Sequence, residues 1–276
     1  MRIISSPLAF KKMHGLGNDF VVIDSRVRDF EATLPVVQGL ADRHRGVGFD
    51  QLAVITQAGS HIHLAFYNAD GSSSAACGNA TRCIAAYLMN ETGQSSITLA
   101  TENGLLPAQK MSNGLVSVNM GQPQTHWADI PLSEQLDSLH LPISGDPVAT
   151  GMGNPHCTFF VEDVGAVDLS KSGRAIERHP LFPQRTNVQY ASLLSKNHLR
   201  MRVWERGVGI TLASGSSSCA TAVAASRRGL TGRNVRITLD GGDIWINWAD
   251  DGVWMTGATA HVFDGTLTQD FLASLT

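Results

Sequence analysis

The chain has 276 residues, 43% of them hydrophobic and 16% charged, and a formal net charge of −3. That length buries a sizeable core and sits where one core usually divides into two, while so weak a charge excludes a field that recruits nucleic acid or an anionic membrane. Cys77, Cys83, Cys157 and Cys219 are too few and too scattered for a disulfide scaffold, and the Cys77–Cys83 spacing fits no common zinc pattern. No apolar run approaches the ~18 residues of a membrane span, and the opening MRIISSPLAF lacks the apolar stretch of a signal peptide, so a bacterial-type cytoplasm is expected.

In chain order, Gly15-Leu16-Gly17-Asn18 leads into the strand FVVID. HLAFYN, ending at Asn68, reads as a second strand, DGSSSAACGN as a small-residue loop, and ATRCIAAYLMN as a helix closed by a Gly93 cap. QSSITLATENGLLPAQK is expected to form a hairpin, and the prolines of GQPQTHWADIP mark a linker. The pattern then recurs. Gly151-Met152-Gly153-Asn154 precedes the strand CTFFVED, and LRMRVWE ends at Glu205 as HLAFYN ends at Asn68. RGVGITLASGSS is a loop, SCATAVAASRRGL a helix of mostly small residues suited to enclosure by its own sheet, and NVRITLDGGDIWINW a hairpin.

With no gap from the Asn68–Glu205 match, Cys77-Gly78 aligns with Ser214-Gly215; Ile97-Thr98-Leu99 matches Ile237-Thr238-Leu239, and Gly121 matches Gly257. Several matches in one order at nearly one shift indicate a duplication, and the period is far too long for a solenoid. The expected class is α/β (α+β), two similar halves each with several short strands around one well-defined helix. The expected boundaries are 1–122 with 264–276 for the first domain and 123–263 for the second, because HVFDGTLTQDFLASLT has no counterpart and is free to cross back.

Both strand–loop–helix passages deliver a small polar residue and a glycine to a helix N-terminus. Such an end exposes unpaired N–H groups and a partial positive charge that suit a carboxylate or phosphate. Neither loop is a nucleotide fingerprint. The same position favours the thiolate of Cys77. A lone thiolate serves as nucleophile or as base; a repeated pair of such positions points to two bases, one removing a proton from a stereocentre and the other delivering from the opposite face.

KMHGLGNDFVVID, RGVGFDQL, YNADGSSSAACGNATRC, GMGNPHC, RTNVQ and ERGVGITLASGSSSCA together resemble diaminopimelate epimerases along nearly the whole chain. The resemblance implies a pyridoxal-independent and metal-independent homodimer, without cofactor, that interconverts LL- and meso-diaminopimelate in lysine and cell-wall synthesis. It also implies the fold, two pseudo-symmetric domains each with a curved β-sheet wrapped around a central helix, and a site in the cleft between them. It implies catalytic roles for Cys77 and Ser214, with His156 and Glu205 as the auxiliary pair. Asn18, Gln51, Asn68, Asn154, Asn187, Glu205 and Arg206 are then substrate-binding residues, and Gly78-Asn79 with Gly215-Ser216 supply backbone donors to the carboxylate at the reacting centre. A guanidinium fork such as that of Arg206 suits the distal carboxylate. Cys83, Cys157 and Cys219 are expected to pack inside.

The pattern calls for cysteine where this chain has Ser214, and for threonine where it has Ser216; the second change is mild because a backbone N–H is the expected donor. A serine keeps hydrogen bonding but forfeits the readily formed thiolate. Three readings follow: an introduced substitution that impairs turnover, a natural member with a changed second acid/base or another amino-acid substrate, and an inactive binding protein.

Overall fold

The computed structural model describes residues 7–74 and 77–275. Ala75 and Ala76, part of the small-residue loop expected before Cys77, lie outside the described residues. The chain divides into two compact units, Met1–Val116 with Thr259–Thr276, and Ser117–Ala258.

The first unit is built from β1 (Leu8–Gly15), β2 (Asn18–Asp24), α1 (Leu34–Ala41), β3 (Gln51–Ala58), β4 (His61–Asn68), β5 (Ser73–Ser74), α2 (Gly78–Thr92), β6 (Ser96–Thr101) and β7 (Gly104–Lys110). β2 pairs with β3 in parallel, and so does β4 with β6. A parallel pair cannot be joined by a tight hairpin and needs a crossover; α1 supplies the first and α2 the second. Val36, Val37 and Leu40 of α1 pack with Val21, Ile23, Leu52 and Val54 of the sheet. α2 packs against β1, β2, β6 and β7, and Gly93 at φ 70° closes it in the left-handed conformation glycine adopts most readily.

The second unit contains β8 (Val116–Asn119) from its second residue on, then β9 (Val148–Gly151), β10 (Pro155–Phe160), α3 (Leu169–Glu177), β11 (Asn187–Ser195), β12 (His198–Glu205), β13 (Gly209–Thr211), α4 (Gly215–Arg227), β14 (Asn234–Leu239), β15 (Gly242–Ala249) and β16 (Gly252–Gly257). Its pairings repeat those of the first unit: β10 with β11 and β12 with β14 are parallel, crossed by α3 and α4, while β14–β15 answers the β6–β7 hairpin. α4 is buried from Ser217 to Ala225, as its small side chains require for close approach of β9, β10, β11, β15 and β16. The chain then returns to the first unit, where β17 (Ala260–Leu267) pairs antiparallel with β1 and α5 (Gln269–Ala273) follows.

Three features differ from the sequence expectation. The division falls at Val116/Ser117 and Ala258/Thr259, not at 122 and 263, because β8 leaves the hairpin of the first unit to pair with β16. α2 and α4 begin at the glycines after Cys77 and Ser214, two and three residues earlier than read, so those two residues become N-caps. The short crossover helices α1 and α3 carry an internal glycine and were not legible from periodicity. Gly173 in α3 answers a packing demand: a Cβ there would lie 2.6 Å from the side chain of Trp204. Gly173→Ala is expected to cost about 1–3 kcal/mol in denaturant unfolding through overpacking; unchanged stability would contradict this account of the α3–β12 contact.

Candidate active site

In the first unit, the parallel strands β2 and β3 begin, and the antiparallel β4 ends, at one edge of the sheet. Asn18, Gln51 and Asn68 stand at those three ends, with Gln51 directly opposite Asn68. Their side chains are held there: Gln51 Nε2 donates to Asn68 Oδ1 (2.9 Å), Asn68 Nδ2 to Ser72 Oγ (3.0 Å), and Asn18 Nδ2 to Asp50 Oδ2 (3.0 Å). Cys77 follows as the extended N-cap of α2 (φ −140°, ψ 100°), and its Sγ accepts from the Ala80 N–H at 3.4 Å. The sulfur therefore receives a helix-end donor, the environment that favours a thiolate. Asn79 Nδ2 donates to Asn18 Oδ1 (3.3 Å), while Asn79 Oδ1 is buried with no hydrogen-bond partner.

The second unit repeats the arrangement with different side chains. Asn154 precedes β10, Asn187 opens β11 beside His156, Glu205 ends β12, and Ser214 is the extended N-cap of α4 (φ −138°, ψ 120°). Asn18, Gln51, Asn68 and Cys77 thus correspond in place to Asn154, Asn187, Glu205 and Ser214. Asn187 accepts from the Arg206 N–H (2.9 Å) and donates to Pro155 O (3.0 Å), which fixes the turn after β12. Arg206 is half-buried; its guanidinium donates to Gln184 O (3.0 Å), and burial pushes its pKa below the usual value. Gly215 and Ser216 occupy the first turn of α4, where backbone N–H groups have no intrahelical acceptor.

The two N-caps differ in one respect. The Ser214 side chain makes no cap hydrogen bond to its own helix. Its Oγ instead donates to Glu205 Oε2 (2.9 Å) and lies 2.9 Å from Ser217 Oγ. Glu205 Oε1 accepts from Thr211 Oγ1 (2.5 Å). Beyond Ser217 the network reaches Gln189, whose Nε2 donates to Ser217 Oγ (2.9 Å) and contacts His156 Nδ1 (2.8 Å). His156 Nε2 meets Asn154 Oδ1 at 2.8 Å. His156 is fully buried, and burial, with the nearby charge of Arg206, pushes its pKa down to about 3. It is a neutral imidazole at physiological pH.

Gln189, Ser217 and Thr211 escaped the sequence reading. Period-two spacing sets Gln189 on the face of β11 that carries Asn187, and Ser217 is one helical turn from Ser214; those were the available signals. Cys83, Cys157 and Cys219 are fully buried, and desolvation raises the Cys83 thiol to about 11 and Cys157 further still. Among the described residues no group of three or more metal-ligating side chains forms, and no helix is long and apolar enough to cross a membrane.

A family model described as diaminopimelate epimerase matches residues 10–126 and 148–262. The chain is 48% identical over 271 residues to a diaminopimelate epimerase of Rhodospirillum centenum, covering 95% of this chain and 93% of that one. It is 49% identical over 263 residues to one of Gluconobacter oxydans, covering 94% and 98%. In fold it is similar to a hydroxyproline epimerase of Agrobacterium vitis (TM-score 0.69, 13% identity, 97% and 94% coverage) and to a PhzF-family phenazine biosynthesis protein of Bacillus anthracis (TM-score 0.66, 14% identity, 95% and 99% coverage).

Proposed function

The chain belongs to the diaminopimelate epimerase family, and on that premise we propose that it interconverts LL- and meso-2,6-diaminopimelate, a step of lysine and peptidoglycan synthesis, by a two-base mechanism. Cys77 removes or returns the α-proton on one side of the reacting carbon, and Ser214 does so on the other. The backbone donors of Gly78-Asn79 and Gly215-Ser216 hold the carboxylate beside that carbon and stabilise the negative charge that develops when the proton leaves. Asn79 Oδ1, buried without a partner, is an acceptor of the kind an α-ammonium requires. The asparagines and Arg206 address the distal amino and carboxylate groups. His156 and Glu205 are the auxiliary pair of the Ser214 side.

The observation that carries the reading is the repetition itself: an extended, oxygen- or sulfur-bearing N-cap followed by glycine, at the same place in both units. An unactivated hydroxyl is a weaker base than a thiolate, so Ser214 impairs turnover and the Cys77 half-reaction outlasts full epimerisation. Incubation of LL- and meso-diaminopimelate in deuterium oxide, followed by mass spectrometry and chiral separation, tests this. Deuterium is expected to enter one stereoisomer much faster than inversion proceeds, with monocarboxylic amino acids inert. Normal epimerisation rates would refute the impairment, and faster exchange of a monocarboxylic amino acid would refute the substrate.

A further inference from the structure

The hydrogen-bond network behind Ser214 has a direction, and the direction follows from counting protons. Asn154 Oδ1 can only accept, so the neutral His156 ring carries its proton on Nε2 and leaves Nδ1 as an acceptor. Gln189 Nε2 has two protons and lies within bonding distance of two acceptors, His156 Nδ1 and Ser217 Oγ. Its Oε1 is occupied by Thr158 Oγ1 at 3.2 Å. Ser217 Oγ, already accepting from Gln189, spends its single proton on one neighbour, and Ser214 Oγ is nearer (2.9 Å) than His156 Nδ1 (3.4 Å). Ser214 in turn has one proton, and the carboxylate of Glu205 accepts it. With Ser214's one proton given to the carboxylate, the Ser214–Ser217 contact is completed by the Ser217 proton.

The geometry points to Ser217 and Gln189 as positioning residues that aim the Ser214 hydroxyl at Glu205, making Ser214 and Glu205 together the acid–base couple of that side. This rests on the proposed epimerisation. In the step itself, the proton on the substrate α-carbon passes to Ser214 Oγ while Ser214's own proton passes to Glu205 Oε2; the C–H electron pair stays on the carbon, and the reverse transfers restore it. His156 takes no part in the transfer. Its role is to occupy one Gln189 proton so that the other meets Ser217. All of these groups belong to one unit and come from β10, β11, β12 and α4, and Gln189, Ser217 and His156 are fully buried, so water does not substitute for a missing member.

The test is solvent-deuterium exchange into each diaminopimelate stereoisomer separately, which reports the Cys77 side and the Ser214 side independently. Ser217→Ala is expected to slow Ser214-side exchange about tenfold, the loss corresponding to one hydrogen bond of about 1.4 kcal/mol, with KM and Cys77-side exchange changed less than about twofold. Gln189→Met is expected to produce a similar slowing, because Ser217 then turns its proton to His156 Nδ1. In a Ser214→Cys background the Ser217→Ala effect is expected to shrink, since a thiolate needs no donor to direct a proton it has already lost. Equal loss on both sides, no loss on either, or an undiminished effect in the cysteine background would overturn the inference. Absence of Ser214-side exchange in the parent while Cys77-side exchange persists would overturn it and leave the epimerase reading standing. Absence on both sides would refute that reading itself.

Discussion

Replacing Ser214 by cysteine is expected to raise the rate of diaminopimelate epimerisation by about a hundredfold or more, the range that a competent general base contributes over an incompetent one. A thiol titrates near ~8.5 in model compounds and lower at a helix N-terminus; a hydroxyl does not ionise in that range and must pass its proton on. The new side chain enters a prepared position. The backbone at 214 is already the extended N-cap conformation adopted by Cys77 (ψ 120° against 100°); because Ser214 is buried, the larger sulfur is accommodated by lengthening the 2.9 Å contacts to Glu205 and Ser217. Progress curves for both stereoisomers measure the gain. A rate that stays level or falls would mean that the Ser214–Glu205 couple is already the better base in this framework, and that the chain is adapted to oxygen.

Cys77→Ser is the complementary case, with a loss of at least about a thousandfold expected in Cys77-side exchange. At the place equivalent to Glu205 the first unit has Asn68, an amide rather than a carboxylate, and its Oδ1 already accepts from Gln51. A serine at 77 would therefore face an amide at the place where Ser214 has the Glu205 carboxylate to receive its proton. The fold should tolerate the change, because serine is a good N-cap and replaces the Ala80 N–H contact of the sulfur with an oxygen contact. Thermal unfolding within a few degrees of the parent, together with lost exchange, would separate chemistry from stability. Retained exchange would remove Cys77 from the mechanism.

The pair of substitutions shows what could be read from residues in order. Gly15-Leu16-Gly17-Asn18 with its echo at Gly151-Met152-Gly153-Asn154 located two strand entrances, and the small-residue loops located two helix entrances. Those signals are local: a turn, a cap and a breaker act over three or four residues. They sufficed for the repeat, the central helices and the two helix entrances at Cys77 and Ser214; the other candidate residues came from the family resemblance. The crossover helices α1 and α3 were not legible, because eight or nine residues with an internal glycine give too little periodicity to outweigh a loop. Their place is earned by packing, as Gly173 against Trp204 illustrates.

Sequence by itself determined that a sulfur and an oxygen occupy equivalent helix entrances, since cap geometry follows from the residues beside the cap. Only the tertiary structure decided what the oxygen does. Gln189 lies beside His156 and Ser217 through the parallel register of β10 and β11 and the entry of α4 above them, and a strand register is a property of the whole sheet, not of any stretch within it. Cys77 accepts from its own helix and Ser214 donates to Glu205, a difference set by which side chains the fold brings beside each cap.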